Sequence, residues 1–422
     1  MRKFYSFVLP ILVGSFFSTS LHAQYSNGLI VTNEGNIGVS AADVSYIENN
    51  TITNNVYRTA NNGEALGDVL QSLYFDDAKG FLVVNNSNKI TVVDRSSFVK
   101  EVEITEEIDQ PRYTTIAEGK LFTTNTGYGQ PSYVSVHDAS SFQWITNITM
   151  PQSSEVIYTV GGSVYVMGAW YGEGNQIVVI NPTTSTIETT LTLENGLQGL
   201  RVKGNEVFAL TSNSTGTTLY KIDALTHTIV SQIKNTSLTN VTKFDLSENT
   251  IYLASGLNVY QVDQDLNTFG TTEIFRGQGT DSWGSGFYGF NVIDDYIYQI
   301  NANEYVSPST VYQYSLTGEI TNQLTAGMIG NHIYKNVYEN LSIQDILTTS
   351  KIKLYPNPTS DQLYIETSNP IGITYQILDY NGRLIGQGKY NDFINVRMLP
   401  KGTYMLRLEY QNHSSNHPFI VK

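Results

Sequence analysis

The chain has 422 residues, of which 40% are hydrophobic and 15% are charged, a composition typical of a folded protein. It contains no cysteine, which excludes disulfides, cysteine nucleophiles, cysteine-ligated zinc and a lipid anchor on an N-terminal cysteine. The formal net charge is −14, so binding to nucleic acid or to anionic membranes is disfavoured, although the acidity also serves solubility.

The first 23 residues have the pattern of a secretory signal peptide. Arg2 and Lys3 form a short basic region, residues 7–17 form an apolar stretch, and Ala23 offers a small residue at a cleavage site. The apolar stretch is too short to cross a bilayer, and no later segment approaches the required length. We therefore expect a signal peptide over 1–23, export from the cytoplasm and no transmembrane segment.

Residues 24–340 carry a repeat with the period of a four-stranded propeller blade. In each full copy a β-branched strand ends in an acidic or amide residue, at Asp94, Asp138, Asn181, Asp223 and Asp263, and degenerate copies end at Glu48 and Ser315. The full copies are 44, 43, 42 and 40 residues apart, so the pattern predicts a seven-bladed β-propeller. We expect the recurring residue to form a turn, since its side chain can accept hydrogen bonds from nearby backbone amides.

The first repeat lacks an innermost strand of its own, because it begins directly with GLIVTNEG at residue 28. Segment 325–337 follows the seventh repeat and has the composition of a strand. We expect this segment to pair with the first repeat and to close the ring, which would leave no open sheet edge there.

Residues 352–422 form a different module, which we expect to be joined to the propeller by a linker over 341–351. Alternating apolar positions predict a small Ig-like β-sandwich, and Asn381-Gly382 between two such runs indicates a tight hairpin. The segment resembles the type A C-terminal sorting domain of the type IX secretion system at Lys353, Tyr355, Pro356, Asn357, Pro358, Gly382, Gly402, Tyr404 and Lys422. That resemblance implies the type IX machinery as a partner and transfer across the outer membrane, with the protein secreted or held at the cell surface; an ordinary Ig-like binding module is the alternative.

The propeller segment resembles a second family. The runs NEGN (33–36), LGDVLQS (66–72), VVNNSNKITVVD (83–94) and PRY (111–113) are similar to surface propellers of Bacteroidetes related to the YncE and YVTN-repeat proteins. Some lipid-anchored members of that family capture vitamin B12 and pass it to a TonB-dependent transporter. The resemblance implies a surface protein that captures a small molecule, with a corrinoid as the ligand and such a transporter as a candidate partner. This chain differs from those members in lacking the anchoring cysteine and in carrying the sorting segment.

The sequence carries no catalytic motif of the HExxH, GxSxG or P-loop type. Asp263, Asp265 and Asn267 have the spacing of a calcium loop, but Thr268 replaces the required glycine, so we interpret the segment as a turn. We expect a protein that is not an enzyme and holds no metal or cofactor. A propeller hydrolase or lyase stays an alternative, because two facing carboxylates would not be visible in sequence.

Loops between the second and third strands of each blade, and loops that enter the next blade, open on one face of a propeller. In this chain they are rich in amides and aromatics, which together suit a bulky ligand with flat surfaces and polar edges, whether a corrinoid, a carbohydrate or a peptide. The alternative is that Asn serves only turn geometry. The predicted ligand-binding residues are Asn33, Asn36, Gln71, Asn85, Asn86, Arg112, Tyr113, Asn125, Tyr128, Trp170, Tyr171, Asn213, Trp283, Tyr288, Asn303 and Tyr305, with Gln198 in an equivalent loop.

Overall fold

A computed structural model describes residues 25–127, 131–170, 172–337, 353–366, 374–379, 383–390, 393–410 and 413–422. The predicted signal peptide and the predicted linker lie outside these residues. The chain divides into two compact units, residues 1–338 and 339–422. Within the described residues, no helix is long and apolar enough to span a membrane.

The described part of the first unit forms seven four-stranded antiparallel sheets, which confirms the predicted propeller. The strands of blades 1 to 4 are β1 (Asn27–Asn33), β2 (Asp43–Glu48) and β3 (Thr51–Thr53); β4 (Leu70–Phe75), β5 (Lys79–Val84), β6 (Lys89–Asp94) and β7 (Lys100–Ile104); β8 (Pro111–Ala117), β9 (Lys120–Asn125), β10 (Tyr133–Asp138) and β11 (Trp144–Thr149); and β12 (Ile157–Val160), β13 (Ser163–Trp170), β14 (Glu173–Asn181) and β15 (Thr186–Thr192).

Blades 5 to 7 and the closing strand follow in chain order. They are β16 (Leu197–Lys203), β17 (Glu206–Asn213), β18 (Gly216–Asp223) and β19 (Thr228–Asn235); β20 (Val241–Leu246), β21 (Thr250–Ser255), β22 (Asn258–Asp263) and β23 (Phe275–Arg276); β24 (Gly289–Ile293), β25 (Tyr296–Asn301), β26 (Pro308–Ser315) and β27 (Ile320–Met328); and β28 (Gly330–Val337). A short helix α1 (Val56–Ala60) follows β3, and 3₁₀ turns occupy Asn85–Ser87, Ser282–Gly284 and Asn303–Tyr305.

Blade 1 is completed by strand β28 from the far end of the unit. β28 pairs antiparallel with β1, and the sheet order is β28-β1-β2-β3, which confirms the predicted ring closure. Asn336 on β28 secures the seam, because its amide donates to the Tyr25 carbonyl at 2.6 Å and its Oδ1 accepts from Arg95 Nε at 2.7 Å. The ring therefore closes without a covalent link, through hydrogen bonds and the packing of Ile333 against the cluster that contains Val31.

Burial along each blade explains why its strands differ in sequence. The second and third strands are packed on both faces, so β5 and β13 are runs of buried residues. Phe122 and Val136 of blade 3, for example, share one apolar cluster with Val164 and Val178 of blade 4. The outermost strands, such as β15 and β19, alternate over much of their length between exposed and partly buried positions, because successive side chains point to opposite faces and one face is more open to solvent.

The recurring acidic or amide residue at the end of the third strand forms a turn, as predicted. Asp138 Oδ1 accepts the backbone amides of Ser140 and Ser141 at 3.0 and 2.7 Å, and these bonds lower the pKa of Asp138. The same arrangement recurs at Asp94, Asn181, Asp223 and, with a single such bond, Asp263. These residues fix the repeat geometry.

The described part of the second unit consists of two sheets, as expected for a small β-sandwich. Its strands are β29 (Lys353–Tyr355), β30 (Gln362–Glu366), β31 (Thr374–Leu378), β32 (Leu384–Lys389), β33 (Ile394–Asn395), β34 (Gly402–Tyr410) and β35 (His413–Val421). Leu363, Ile377, Leu406 and Phe419 belong to the core between the sheets. β31 and β32 form the predicted hairpin, whose turn with Gly382 lies outside the described residues.

Several sorting-motif residues have structural roles in this sandwich. The Asn357 amide donates to the Pro418 carbonyl at 3.1 Å, and its Oδ1 accepts the Ile420 amide at 3.0 Å. Tyr404 donates to the Pro400 carbonyl at 2.8 Å. The Lys422 backbone amide bonds the Thr359 carbonyl at 2.8 Å. The motif thus ties the start of the unit to its last strand.

Candidate functional site

The first strands of neighbouring blades contact one another around the ring, so they form its inner wall. A cavity of about 940 Å³ opens at one end of this wall. It is lined by side chains from the inner strands and by the loops that the sequence predicted to share one face. Such a concave, partly polar site at a channel mouth is where propeller ligands would be expected to bind.

Nine of the predicted ligand-binding residues line this cavity: Asn36, Gln71, Asn85, Arg112, Tyr113, Trp170, Trp283, Tyr288 and Tyr305. Gln198 lines it as well. Tyr128 and Tyr171 lie outside the described residues. Most of the predicted side chains therefore surround the same cavity.

Five predicted residues lie away from the cavity lining, and their side chains bond their own blade instead: Asn33, Asn86, Asn125, Asn213 and Asn303. Asn33 and Asn125 are buried, and each donates to a serine on the next strand, Ser45 at 2.9 Å and Ser135 at 3.0 Å. These amides stabilise turns and strands of their own blade. This agrees with the alternative stated from the sequence, that such asparagines serve turn geometry.

A buried ion pair forms part of the cavity wall. Arg112 Nε lies 2.8 Å from Glu155 Oε1, and Arg112 also donates to the Gln71 side-chain carbonyl at 2.6 Å. Burial raises the pKa of Glu155, and the neighbouring Arg112 opposes that rise. The arginine is held in place by two blades and presents a fixed positive charge to the cavity.

A second carboxylate, Glu34, lies at the seam where the ring closes. Its Oε1 accepts hydrogen bonds from the Tyr288 hydroxyl at 2.8 Å and from the Asn331 amide at 3.0 Å. Burial raises the pKa of Glu34, while these two hydrogen bonds act to lower it. Asn331 also donates to the carbonyls of Leu70 and Gln71 at 3.0 Å, so the carboxylate is fixed by three blades.

Lys243 enters the cavity from inner strand β20. Burial lowers its pKa to about 8, with a further lowering from the Arg201 charge and an opposing effect of Glu34 and Glu155. The ammonium nitrogen lies 5.8 Å from the centre of the Tyr288 ring, within the range of a cation–π contact. The neighbouring Arg201 is itself paired, since its Nε lies 2.9 Å from Asp245 Oδ1.

A histidine completes the inner wall. His332 Nε2 lies 3.0 Å from the Tyr113 hydroxyl, and the two rings meet edge to face. Burial lowers the pKa of His332 to about 3, helped by the charges of Lys243, Arg201 and Arg112. The imidazole is therefore neutral near pH 7 and cannot act as a proton switch there.

The rim of the cavity is aromatic and open. The Trp170 residue is 49% exposed and Trp283 is 93% exposed, with Ile37 beside them at 73%. Tyr305 supports Trp283 by donating to its backbone carbonyl at 3.0 Å, and it meets Tyr288 edge to face at 5.3 Å. Large apolar side chains that stay exposed around one cavity make this rim a candidate binding surface.

Sequence reasoning missed Glu155, Lys243, Asn331 and His332, which all line the cavity, and it did not single out Glu34 within the NEGN loop. A usable signal was present in β20, where Lys243 and Asp245 alternate with buried Phe244. Charged residues at alternate positions of an inner strand point together into the channel.

The model of the Domain of unknown function (DUF5074) matches residues 27–316, which cover most of the propeller. This chain belongs to the DUF5074 family. The model of the secretion system C-terminal sorting domain matches residues 353–422 of this DUF5074 protein. The protein is thus exported through the type IX secretion system across the outer membrane, to the cell surface or beyond it. No curated protein matches the chain significantly.

Solved structures resemble the fold of this DUF5074 protein. A quinonprotein alcohol dehydrogenase-like protein of Bacteroides thetaiotaomicron is 15% identical with a TM-score of 0.57, covering 74% of this chain and 79% of that one. The computationally designed Ika8 protein is 11% identical with a TM-score of 0.50, covering 87% of this chain and 97% of that one. BamB of Moraxella catarrhalis is 13% identical with a TM-score of 0.46, covering 81% and 88%. At these identities the likeness concerns the fold alone.

Proposed function

We propose that this DUF5074 protein is a non-enzymatic ligand-capture protein of the cell surface, and that its channel-mouth cavity holds a corrinoid such as vitamin B12. One observation carries the proposal. Two tryptophans, Trp170 and Trp283, stand 49% and 93% exposed above a polar cavity of about 940 Å³. A bulky ligand with a flat face and polar edges would cover both.

Exposed indoles give a binding site most of its energy when a ligand covers them. Removing 100 Å² of apolar surface from water contributes about 2.5 kcal/mol. Tryptophan is accordingly a frequent centre of binding energy in interfaces. Tyr305 donates to the backbone carbonyl of Trp283, so the backbone that carries this indole is held before the ligand arrives.

The polar part of the cavity suits the edge of a corrinoid, whose ring carries amide side chains. Gln71, Asn85 and Gln198 line the cavity, although each amide also bonds the protein: Gln71 accepts from Arg112, and Asn85 and Gln198 donate to the carbonyls of Pro111 and Ser212. Amide edges of the ligand can exchange hydrogen bonds with them while the ring packs on the rim. The runs between residues 33 and 113 resemble a family of surface propellers, some of whose members capture vitamin B12, and that resemblance supports the same ligand. A TonB-dependent transporter would then be the receiving partner.

A carbohydrate or peptide ligand is the second candidate. Exposed tryptophans also stack on the flat faces of sugars, and the same amides would bond hydroxyl groups. Such a binder would need no transporter. Binding of a glycan with no binding of a corrinoid would favour it.

An enzyme is a weaker candidate that one observation favours, since Glu34 and Glu155 line the same cavity. Both carboxylates are held by protein groups: Glu155 by Arg112, and Glu34 by Tyr288 and Asn331. A glycosidase needs one carboxyl free to protonate and one free to attack or to activate water. We therefore place both in binding rather than catalysis. Turnover of a glycoside that Glu155→Gln abolishes would reverse this assignment.

The chain offers a matched test, because its three tryptophans are Trp144, Trp170 and Trp283 and only the last two line the cavity. Trp144 is 40% exposed on the outermost strand of blade 3. Cyanocobalamin absorbs light near the emission of tryptophan, so binding quenches nearby indoles. We expect saturable quenching in the Trp144→Phe variant and none in the Trp170→Phe, Trp283→Phe double variant. Quenching in the double variant, which retains only Trp144, together with no quenching in Trp144→Phe, would contradict the proposed site.

A further inference from the structure

Lys243 is the cation of the cavity that has no ionic partner among the described residues. Arg112 is paired with Glu155, and Arg201 is paired with Asp245. Within the described parts of the chain, no carboxylate lies within 4 Å of Lys243 Nζ, and the nitrogen lies 5.8 Å from the centre of the Tyr288 ring. Lys243 is partly buried, so its ammonium group is less well solvated than in water, and an anion supplied by a ligand would offset that loss.

The surroundings of Lys243 hold the charge in place without neutralising it. Glu34 attracts the ammonium of Lys243 without forming an ion pair with it. The Oε1 atom of Glu34 instead accepts hydrogen bonds from Tyr288 and Asn331. Glu155 likewise acts at a distance and is committed to Arg112. The positive charge of Arg201 repels the Lys243 ammonium.

The position of Lys243 keeps it accessible to a ligand. It lines the same cavity as the rim tryptophans, and its neighbour Thr242 is exposed. A ligand that covers the rim would therefore bring its own groups close to the ammonium. A negatively charged oxygen there would form charge-assisted hydrogen bonds, which are about twice as strong as neutral ones.

We propose that Lys243 is an anion-binding residue, and that the natural ligand presents a phosphate ester or a carboxylate to its ammonium group. The inference rests on the proposed capture function of the same cavity and names the chemistry of its ligand. Among corrinoids it selects those with an intact nucleotide loop, which contains a phosphodiester. It disfavours cobinamides, which lack that loop.

The first test uses inorganic phosphate and the full mature protein. Lysines are labelled by reductive ¹³C-methylation, and the signal of Lys243 is assigned by its loss in Lys243→Gln. Because phosphate binds the charged ammonium, we expect it to raise the pKa of Lys243 relative to chloride at equal ionic strength. The exposed Lys335, which pairs with Asp294, serves as the control. A pKa of Lys243 that is identical in phosphate and chloride would overturn the inference.

The second test measures the affinities of cyanocobalamin and dicyanocobinamide by calorimetry. We expect Lys243→Gln to weaken cyanocobalamin about tenfold or more and to change cobinamide less than about twofold. Lys243→Arg should keep the preference for cyanocobalamin, and Lys335→Gln should leave both affinities unchanged.

The outcomes separate the two proposals. If neither corrinoid binds but phosphate still raises the pKa of Lys243, the corrinoid function fails and the anion site stands. If both corrinoids bind the Lys243→Gln variant as tightly as the wild type, the anion site fails and the capture function stands. Equal weakening of both corrinoids would also overturn the anion site, because a phosphodiester contact cannot affect cobinamide.

Discussion

The Tyr288 hydroxyl donates a hydrogen bond of 2.8 Å to the Glu34 carboxylate, although the two residues are 254 positions apart in the chain. Tyr288 precedes the first strand of blade 7, and Glu34 follows β1 of blade 1. The bond can form only when the ring has closed. The candidate site is therefore a product of closure, and variants at the seam should affect stability and binding together.

Asn331 is the residue at this seam whose loss we expect to cost most. Its amide serves Glu34 and the carbonyls of Leu70 and Gln71, all in a buried setting. Asn331→Ala should lower the free energy of unfolding by about 2–3 kcal/mol, since buried acceptors are left unpaired. Urea denaturation measures this, with Asn205→Ala in the exposed β16–β17 turn as the control. Equal effects of the two variants would contradict the assigned role.

The Arg112–Glu155 pair should behave as a buried ion pair. Arg112→Met leaves the Glu155 carboxylate buried and unpaired and should cost about 3 kcal/mol of unfolding free energy. The double variant Arg112→Met, Glu155→Met should recover most of that loss. At the exposed Lys335–Asp294 pair, Lys335→Met should cost less than about 1 kcal/mol. A double variant no more stable than Arg112→Met alone would show that the two charges are not coupled.

Glu34 should give stability a defined dependence on pH. Burial raises its folded-state pKa above the ordinary value of 4.5, so the folded protein prefers the protonated form. This contribution is fully present below about pH 4.5 and is lost as the pH rises through the folded-state pKa, at about 1.4 kcal/mol per unit of pKa difference. Relative to Glu34→Gln, the wild type should therefore lose stability from pH 4 to pH 7. The control is Glu118→Gln in the exposed β8–β9 turn, and the same profile there would exclude burial as the cause.

His332 should give the free energy of unfolding the opposite dependence on pH. Burial lowers its pKa from 6.5 to about 3, so protonation opposes folding. Its stabilising contribution is present above about pH 6.5 and is lost as the pH falls towards 3. Between pH 7 and pH 5 the wild type should lose about 2 kcal/mol more than His332→Gln. The C2–H resonance of His332 should not titrate above pH 5 in proton NMR, and a midpoint near 6.5 would contradict the assignment.

The sorting unit yields a prediction about export. The Asn357 side chain joins the start of the unit to β35 through two hydrogen bonds. Asn357→Ala should weaken the fold of the sandwich and leave more protein in the periplasm of a cell with type IX secretion. Protease accessibility on intact cells measures the exported fraction. Exposed Gln387→Ala is the control, and equal export of both variants would argue against the role of Asn357.

The repeat architecture could be predicted because its determinants are local. The turn at Asp138 needs only the two following amides, and the apolar run of β13 reflects packing between blades. The closing strand was also predictable, since the first repeat lacks a strand and Gly330–Val337 supply one within the predicted segment 325–337, whose first residues belong to β27 instead. Alternation and period carry this information without any knowledge of the tertiary structure.

The site was only partly predictable, because loops and inner strands contribute in different ways. Trp170 and Trp283 stand out as large aromatics in loops of a face that the fold defines. Lys243 and Glu155 become neighbours only when the inner wall curves around the channel. Asn125 has the composition of a binding loop, yet its amide is used by Ser135 on the next strand. A single amide in a turn does not reveal whether it faces a ligand or its own blade.

Calorimetry of the mature wild-type protein with cyanocobalamin decides whether the channel mouth captures a corrinoid, with the Trp170→Ala, Trp283→Ala variant beside it and Trp144→Ala as the control. We expect one-to-one binding to the wild type and to Trp144→Ala, and loss of at least about tenfold in affinity in the double variant. Absence of heat at micromolar wild-type protein, or equal binding by the double variant, would contradict corrinoid capture at the channel mouth.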